Sequence, residues 1–192
     1  MLKHAQARSR QTRERILDAA AQLAARHGYR SVTTDMIAET ANVAKGTVFA
    51  HFGDRSHLLA ALGIRRMDGI VTDIAFTEAD PVSRIVEIYH PLLSFFVDTP
   101  DFARLFIDQS ALPDGPMSAA FAQSCHQLEE VVARELRKVA QDGDEQTLLT
   151  NGAQAFFLQI VTYRLGGWIK TDDEALARLR TALDRWINGP AR

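Results

Sequence analysis

Apolar residues recur every three or four positions along almost the whole of this chain, and no run alternates apolar with polar residues for long enough to suggest a strand. Ile16, Leu17, Ala20, Leu23 and Ala24 mark one face of a first helix from about Arg10 to His27, and Gly28 stands where a C-terminal cap belongs. Thr33 or Thr34 suits the N-cap of a second helix, DMIAETA. Asn42 tolerates the left-handed backbone of a tight turn. A short third helix, AKGTVFAHF, ends at Gly53, and Asp54 caps a fourth, RSHLLAALGIRRMDGIV. Beyond residue 78 the pattern predicts a long helix to about Asp98 that Pro91 kinks or breaks, because proline lacks an N–H and clashes one turn back. A short helix, PDFARLFIDQSAL, and a PDGP loop at 113–116 follow. Helices at about 117–141, 145–167 and 173–188 complete the chain, the last capped by an aspartate and closed by Asn188, Gly189 and Pro190. The expected fold is all-α, with about nine helices.

Within that pattern the second helix, the turn Asn42–Ala44 and the third helix form a helix-turn-helix. Ile37, Ala38, Ala41, Val43, Val48 and Phe52 have the spacing to close the angle between the two helices, with Ile16, Leu23, Leu58 and Leu62 beneath them. That uses the large apolar residues of one side of the third helix and leaves Lys45, Gly46, Thr47, Phe49, Ala50 and His51 facing outward. Glycine and threonine are poor choices for a helix interior, so tertiary packing has to hold this segment.

Charge sharpens the picture. Residues 1–66 hold 11 Lys and Arg against 5 Asp and Glu, although the whole chain of 192 residues carries a net charge of −2. A basic head on an acidic body suits a polyanion-binding domain or, equally on charge alone, a plain solvated basic face. The single Cys125 forms no intramolecular disulfide and packs as a small hydrophobe. His4, His27, His57, His90 and His126 lack metal-ligand spacing, so neither metal nor cofactor is expected. No Ser/His/Asp constellation, paired-acid motif or phosphate loop suggests an enzyme. The polar, basic N-terminus is unlike a signal peptide, and no apolar run reaches the roughly 20 residues that span a bilayer. A cytoplasmic protein without membrane attachment is expected.

The stretch TRERILDAAAQLAARHGYRSVTTDMIAETANVAKGTVFAHFGDRSHLLAAL (12–62) resembles the DNA-binding domain of the TetR family of bacterial transcriptional regulators. The TRERILDAA opening, Gly28–Tyr29, Thr33–Thr34, Ile37–Ala38, the KGT of the third helix and His51–Phe52–Gly53 carry the likeness. The resemblance implies a third helix in the DNA major groove. In that family's pattern Lys45 and Thr47 meet phosphate or base edges, and His51 and Arg55 meet backbone. Thr33 and Thr34 sit where hydroxyl and free N–H groups hold a phosphate, and Arg8, Arg10 and Arg13 suit a basic arm. Three positions depart from the pattern: Ala44 in place of a small polar residue, Phe49 in place of tyrosine, and Ala50, which offers only a methyl. Readout then rests on Lys45, Thr47, apolar contact and DNA shape.

The same resemblance implies a C-terminal body that binds a ligand and dimerises. The expected division is 1–56 for the DNA-binding domain and 57–192 for the body, with the fourth helix, about 54–75, connecting them. Eight of the ten Phe lie outside the head. The expected effector site comprises Tyr89, Phe96, Phe102, Phe106, Phe121, His126, Phe156, Gln159 and Tyr163, with Pro91 and the Gly115 loop at its entrance. Leu148, Leu149, Ala155, Leu158, Val161 and Leu165, then Leu176, Leu179, Leu183 and Ile187, form apolar stripes for a four-helix interface with a second copy. Trp168 and Trp186 are expected near it. The function implied is a homodimeric, ligand-responsive regulator of double-stranded operator DNA, a repressor released by a small effector. An activator of the same fold, or a small-molecule-binding adaptor without operator binding, is the alternative.

Overall fold

The computed structural model describes residues 2–110 and 117–189. Among them the regular elements are nine α-helices: α1 (Leu2–His27), α2 (Thr34–Thr40), α3 (Lys45–Phe52), α4 (Arg55–Thr72), α5 (Pro81–Asp98), α6 (Pro100–Ser110), α7 (Ser118–Leu136), α8 (Gly143–Leu165) and α9 (Asp172–Asn188), with one 3-10 turn at Tyr29–Ser31. The chain divides into two compact units, Met1–Arg65 and Arg66–Arg192. The Gly115 loop and Pro190 lie outside the described residues. No helix among the described residues is long and apolar enough to cross a membrane.

The first unit has one apolar core. Ile16, Leu17, Ala20, Leu23 and Ala24 of α1 meet Val32, Ile37, Ala38, Ala41, Val48, Phe52, Leu58 and Leu62, and Val43 packs partly buried against them. The helix α1 begins at Leu2 rather than at the expected Arg10. Residues 2–9 contain no Gly or Pro, so nothing in them stops an exposed helix from continuing. The amide of Gly28, at φ 76°, donates to Ala24 O at 2.9 Å and ends α1 in the left-handed turn that glycine favours. Arg65 on α4 pairs with Asp18 on α1 at 2.7 Å.

The second unit is built on α5, whose Ile85, Ile88, Tyr89, Leu92 and Leu93 are wholly buried. Asp80 caps this helix by accepting from the Ser83 N–H at 2.9 Å, with Pro81 at its first position. The helix is not broken at Pro91 but runs through it to Asp98. Pro91 lies on the exposed face, and burial of Tyr89, Leu92 and Leu93 on the other face offsets a cost of about 3 kcal/mol. The helix α7 stops at Leu136, short of the expected 141, where Lys138 and Val139 donate one residue nearer, to Glu135 and Leu136, in 3-10-like turns. The cap of α9 is Thr171, not an aspartate: Thr171 Oγ1 accepts from the Glu174 N–H at 3.1 Å. The TDD run offers three adjacent capping side chains, and the first of them takes the role.

One charge is buried between α5 and α7. Glu135, 3% exposed, pairs with Arg84 Nε at 3.1 Å and also with Lys138. The Arg84 guanidinium lies over the Phe76 ring, 4.1 Å from its centroid. A buried carboxylate that loses its cross-helix partner, and is left with Lys138 on its own chain segment, keeps much of the cost of desolvation. Arg84→Met is therefore expected to lower the unfolding free energy by roughly 3 kcal/mol. The double substitution R84M/E135L is expected to recover most of the loss. Urea denaturation of the three proteins checks this, and equal midpoints for Arg84→Met and the parent chain contradict it.

Candidate nucleic-acid interface and ligand cavity

In the first unit, α2 is set by Thr33, whose Oγ1 accepts from the Met36 N–H at 3.3 Å; Thr34 is the first helical residue. The helix closes where Ala41 N donates to Ile37 O at 2.8 Å. Asn42 turns the chain at φ 50°, and Val43 N returns to Ala38 O at 2.9 Å. This left-handed asparagine aims α3 away from α2. Val48 and Phe52 then anchor α3 in the core at 2% and 6% exposure. Arg13 stacks its guanidinium 4.8 Å from the centre of the Phe52 ring. Its expected place in a basic arm is thus shared with a packing role. Arg8 and Arg10 stay exposed on α1.

The outward side of α3 shows Lys45, Gly46, Phe49 and Ala50 exposed, with Thr47 and His51 half-buried. Ala44 precedes the helix and gives no side-chain cap. Gly46 is informative: a Cβ added there meets nothing within 4 Å among the described residues. Its φ is not positive. Neither packing nor backbone geometry within the chain asks for glycine, and helix propensity opposes it.

Two of the expected contact residues are occupied. Lys45 Nζ pairs with Asp35 on α2, at 2.8 Å and 3.0 Å from the two carboxylate oxygens. Sequence reasoning did not include Asp35, because a pairing ten residues apart depends on the angle between α2 and α3. Arg55 Nη2 donates to the Arg30 carbonyl at 3.2 Å and to the Tyr29 carbonyl at 3.4 Å, tying the start of α4 to the 3-10 turn. Thr33, Thr34 and Arg55 therefore stand at helix starts beside α3, while Ala44 to His51 belong to α3 and its cap.

The second unit encloses a cavity of about 230 Å³ whose wall includes Met67, Tyr89, Phe96, Phe106, Cys125, Gln154, Phe157 and Leu158. Tyr89, Phe96 and Phe106 are expected residues found on it. Phe102 and Phe121 are buried immediately behind, with ring centres 5.9 Å from Phe96 and 5.4 Å from Phe106 respectively. The other four are not on the wall. His126 lies exposed beside Glu129 and Glu130. Phe156 packs edge-on against Trp186, and Gln159 donates to Tyr163 Oη while the Tyr163 ring rests near Trp168. The reason is helical phase. Gln154, Phe157, Leu158 and Val161 follow one face of α8, and positions 156, 159 and 163 lie round the side.

Tyr89 stacks on Phe157 with centroids 4.3 Å apart and planes 9° apart. Its hydroxyl is buried without a partner among the described residues, and burial pushes its pKa far above the ordinary tyrosine value. Burial, with Glu129 second, also raises Cys125, which stays a thiol. No group of three His, Cys, Asp or Glu among the described residues is placed to hold a metal ion.

Residues 16–62 match the family described as "Bacterial regulatory proteins, tetR family". Over 103 residues the chain is 34% identical to an uncharacterized HTH-type transcriptional regulator, YvkB, of Bacillus subtilis, covering 54% of each protein. The matched stretches span about half the length, or less, of the curated relatives. Among solved structures, a TetR transcriptional regulator from Rhodococcus sp. RHA1 superposes with a TM-score of 0.67 at 17% identity, over 95% of this chain and 98% of that one. Thermus thermophilus FadR, a TetR-family repressor in complex with lauroyl-CoA, gives 0.64 at 19% identity, over 94% and 95%. At these identities the structural likeness is one of fold.

The start of α4 beside α3 is pH-sensitive. Asp54 accepts from the His57 N–H at 2.8 Å and lies 2.9 Å from the His57 ring. Its carboxyl is held below the ordinary value of 3.8, first by the His57 backbone N–H and then by the ring. A depressed carboxyl pKa stabilises the fold above the unfolded value and loses that contribution as pH falls through the folded one. The stability difference between the parent chain and Asp54→Ala is expected to be full above pH 3.8 and to shrink progressively as pH falls below it. Thermal unfolding followed against pH checks this, and a difference that grows on acidification contradicts it.

Proposed function

We propose that this chain, a member of the TetR family of bacterial regulatory proteins, is a ligand-responsive transcriptional repressor that binds a palindromic DNA operator as a homodimer. The observation that carries the DNA-binding reading is Gly46. An α3 glycine with open space above it and an ordinary φ has no internal use, but it lets a phosphate backbone or base edge approach the helix closely. The surrounding residues suit that partner. Lys45 supplies a cation for phosphate or base. The exposed Phe49 ring and the Ala50 methyl offer apolar contact to thymine methyls or sugars. Thr47 and His51 add hydrogen-bonding groups, and Thr33, Thr34, Ala44 and Arg55 form the flanks. Asp35 competes with phosphate for Lys45 in the free protein, so DNA binding exchanges one exposed ion pair for another.

Dimerisation through α8 and α9 is proposed from the apolar side chains that they and the turn between them leave in solvent. Leu148, Leu158, Trp168 and Trp186 are 57%, 47%, 72% and 38% exposed. Of the two expected stripes, Leu149, Val161, Leu179 and Leu183 face the core of the second unit, Leu148 faces outward, and Leu158 stands at the rim of the cavity with about half its surface in solvent. Both readings draw on α8 because it is apolar around much of its circumference. A second copy covering the outward residues brings two α3 helices to one DNA, and half-sites about one helical turn apart follow for a simple twofold dimer. The cavity is proposed as the effector site. Its wall includes Met67 on α4, a helix whose residues run on to Arg55 beside α3. A ligand shifts DNA affinity only by its preference between the DNA-competent and released states. Thermus thermophilus FadR, a repressor crystallised with lauroyl-CoA, supports repression and ligand binding in this fold.

Fluorescence anisotropy with DNA from upstream of the chain's own gene, titrated over salt, tests the DNA reading. Lys45→Ala is expected to weaken binding to all sequences and to reduce the salt slope by about one. Gly46→Ala is expected to stabilise the fold by up to about 1 kcal/mol while weakening operator binding. Unchanged affinity in both variants removes α3 from the contact surface. Leu148→Glu is expected to shift the chain from dimer to monomer in sedimentation velocity with the helical content retained, and a parent chain that is monomeric at micromolar concentration rules out this interface.

A further inference from the structure

The wall of the cavity in the second unit specifies more than the presence of a ligand. Its volume is about 230 Å³. A dry protein cavity of about 150 Å³ lined by Leu, Ile and Phe holds benzene, so this one fits a molecule somewhat larger than a single ring and much smaller than a nucleotide conjugate. Phe96, Phe106 and Phe157 give it flat aromatic surfaces, with the Tyr89 ring stacked on Phe157. No Lys, Arg or His stands among the described lining residues. A carboxylate or phosphate inside would therefore be desolvated without a counter-charge. The Cys125 thiol, raised by burial, offers neither a charge nor an activated nucleophile.

Two polar side chains on this wall offer hydrogen-bonding groups, and the Tyr89 hydroxyl has no partner among the described residues. One is Tyr89, through its fully buried hydroxyl. The other is Gln154, half-buried, whose carboxamide offers both a donor and an acceptor. A buried hydroxyl without a partner costs free energy that an incoming oxygen recovers. We propose that the cavity binds an uncharged, compact aromatic molecule, of one or two fused rings, bearing a hydroxyl or carbonyl group. The ring lies against the phenylalanines, and the oxygen is taken up by Tyr89 and Gln154. This rests on reading the cavity as the effector site, and it narrows the class of effector.

Isothermal titration of the full chain without DNA, at pH 7.5, tests it with a matched set of probes: 2-naphthol, naphthalene and 2-naphthoate. The expected result is 2-naphthol binding at least about 100-fold more tightly than 2-naphthoate, which would leave a carboxylate buried and unpaired. Tyr89→Phe keeps the stacked ring and removes only the unpartnered hydroxyl, so the ligand-free chain is expected to unfold at no lower temperature. Tyr89→Phe and Gln154→Leu are each expected to weaken 2-naphthol about fivefold and to leave naphthalene unchanged. Equal or tighter binding of 2-naphthoate overturns the proposal, as does failure of 2-naphthol to bind, or full 2-naphthol affinity in both variants. The titration contains no DNA, so failure of 2-naphthol to bind leaves the DNA-binding reading standing. Loss of that reading in the anisotropy experiment leaves the 2-naphthol result unaffected.

Discussion

The burial of Val48 and Phe52 is the constraint on which the first unit depends. An eight-residue helix of Lys, Gly, Thr, Val, Phe, Ala and His does not hold together in water, because nucleation outweighs the few hydrogen bonds it closes. It is helical here because two of its side chains reach a core formed by α1, α2 and α4, and because Arg13 covers the Phe52 ring. Once those two residues are fixed inward, the helical repeat fixes which residues face out. The composition of the outward side is then free of any folding requirement. That freedom is why Gly46 and Ala50 stand where a helix chosen for stability alone would carry larger, better helix formers.

The second unit solves a different problem. It has to be stable while leaving a void, and voids forfeit dispersion contacts. The structure surrounds the cavity with a tightly contacting aromatic set, Phe95, Phe96, Phe102, Phe106 and Phe121, and stacks Tyr89 on Phe157. At a separate place, Arg84 and Glu135 fix α5 against α7 with a buried ion pair. Such a pair contributes little net stability over an apolar replacement, but its loss on one side is costly. A single arrangement of the two helices satisfies it, which suits a scaffold that has to keep the void's shape.

Much of the first unit is legible in one dimension because its signals are local. The glycine after α1, the threonine before α2, the asparagine in the turn and the apolar spacing each act within a few residues of their own position. The cavity is legible only in part. Three of nine expected side chains, Tyr89, Phe96 and Phe106, lie on its wall. Aromatic residues on a helix can be assigned to a core from composition, but the side that meets the void depends on helical phase relative to three or four neighbours. The α8 helix is apolar on more than one side, so its periodicity did not single out the inward face, and Phe156 and Phe157 could not be told apart. Pro91 misleads for a related reason. The local rule is right about its cost, and the burial of Tyr89, Leu92 and Leu93 outweighs that cost.

By itself, the sequence determined the helical class, the helix-turn-helix and the asymmetry of charge between residues 1–66 and the rest, because propensity, capping and spacing act locally and need no partner to be specified. Tertiary structure alone decided how those residues are used. It gave Lys45 to Asp35 and Arg55 to the carbonyls of Tyr29 and Arg30. It also turned Gln154 to the cavity and Phe156 away from it. These are pairings across an angle between helices, and that angle is set by the sum of all the packing, which no short stretch of the chain encodes.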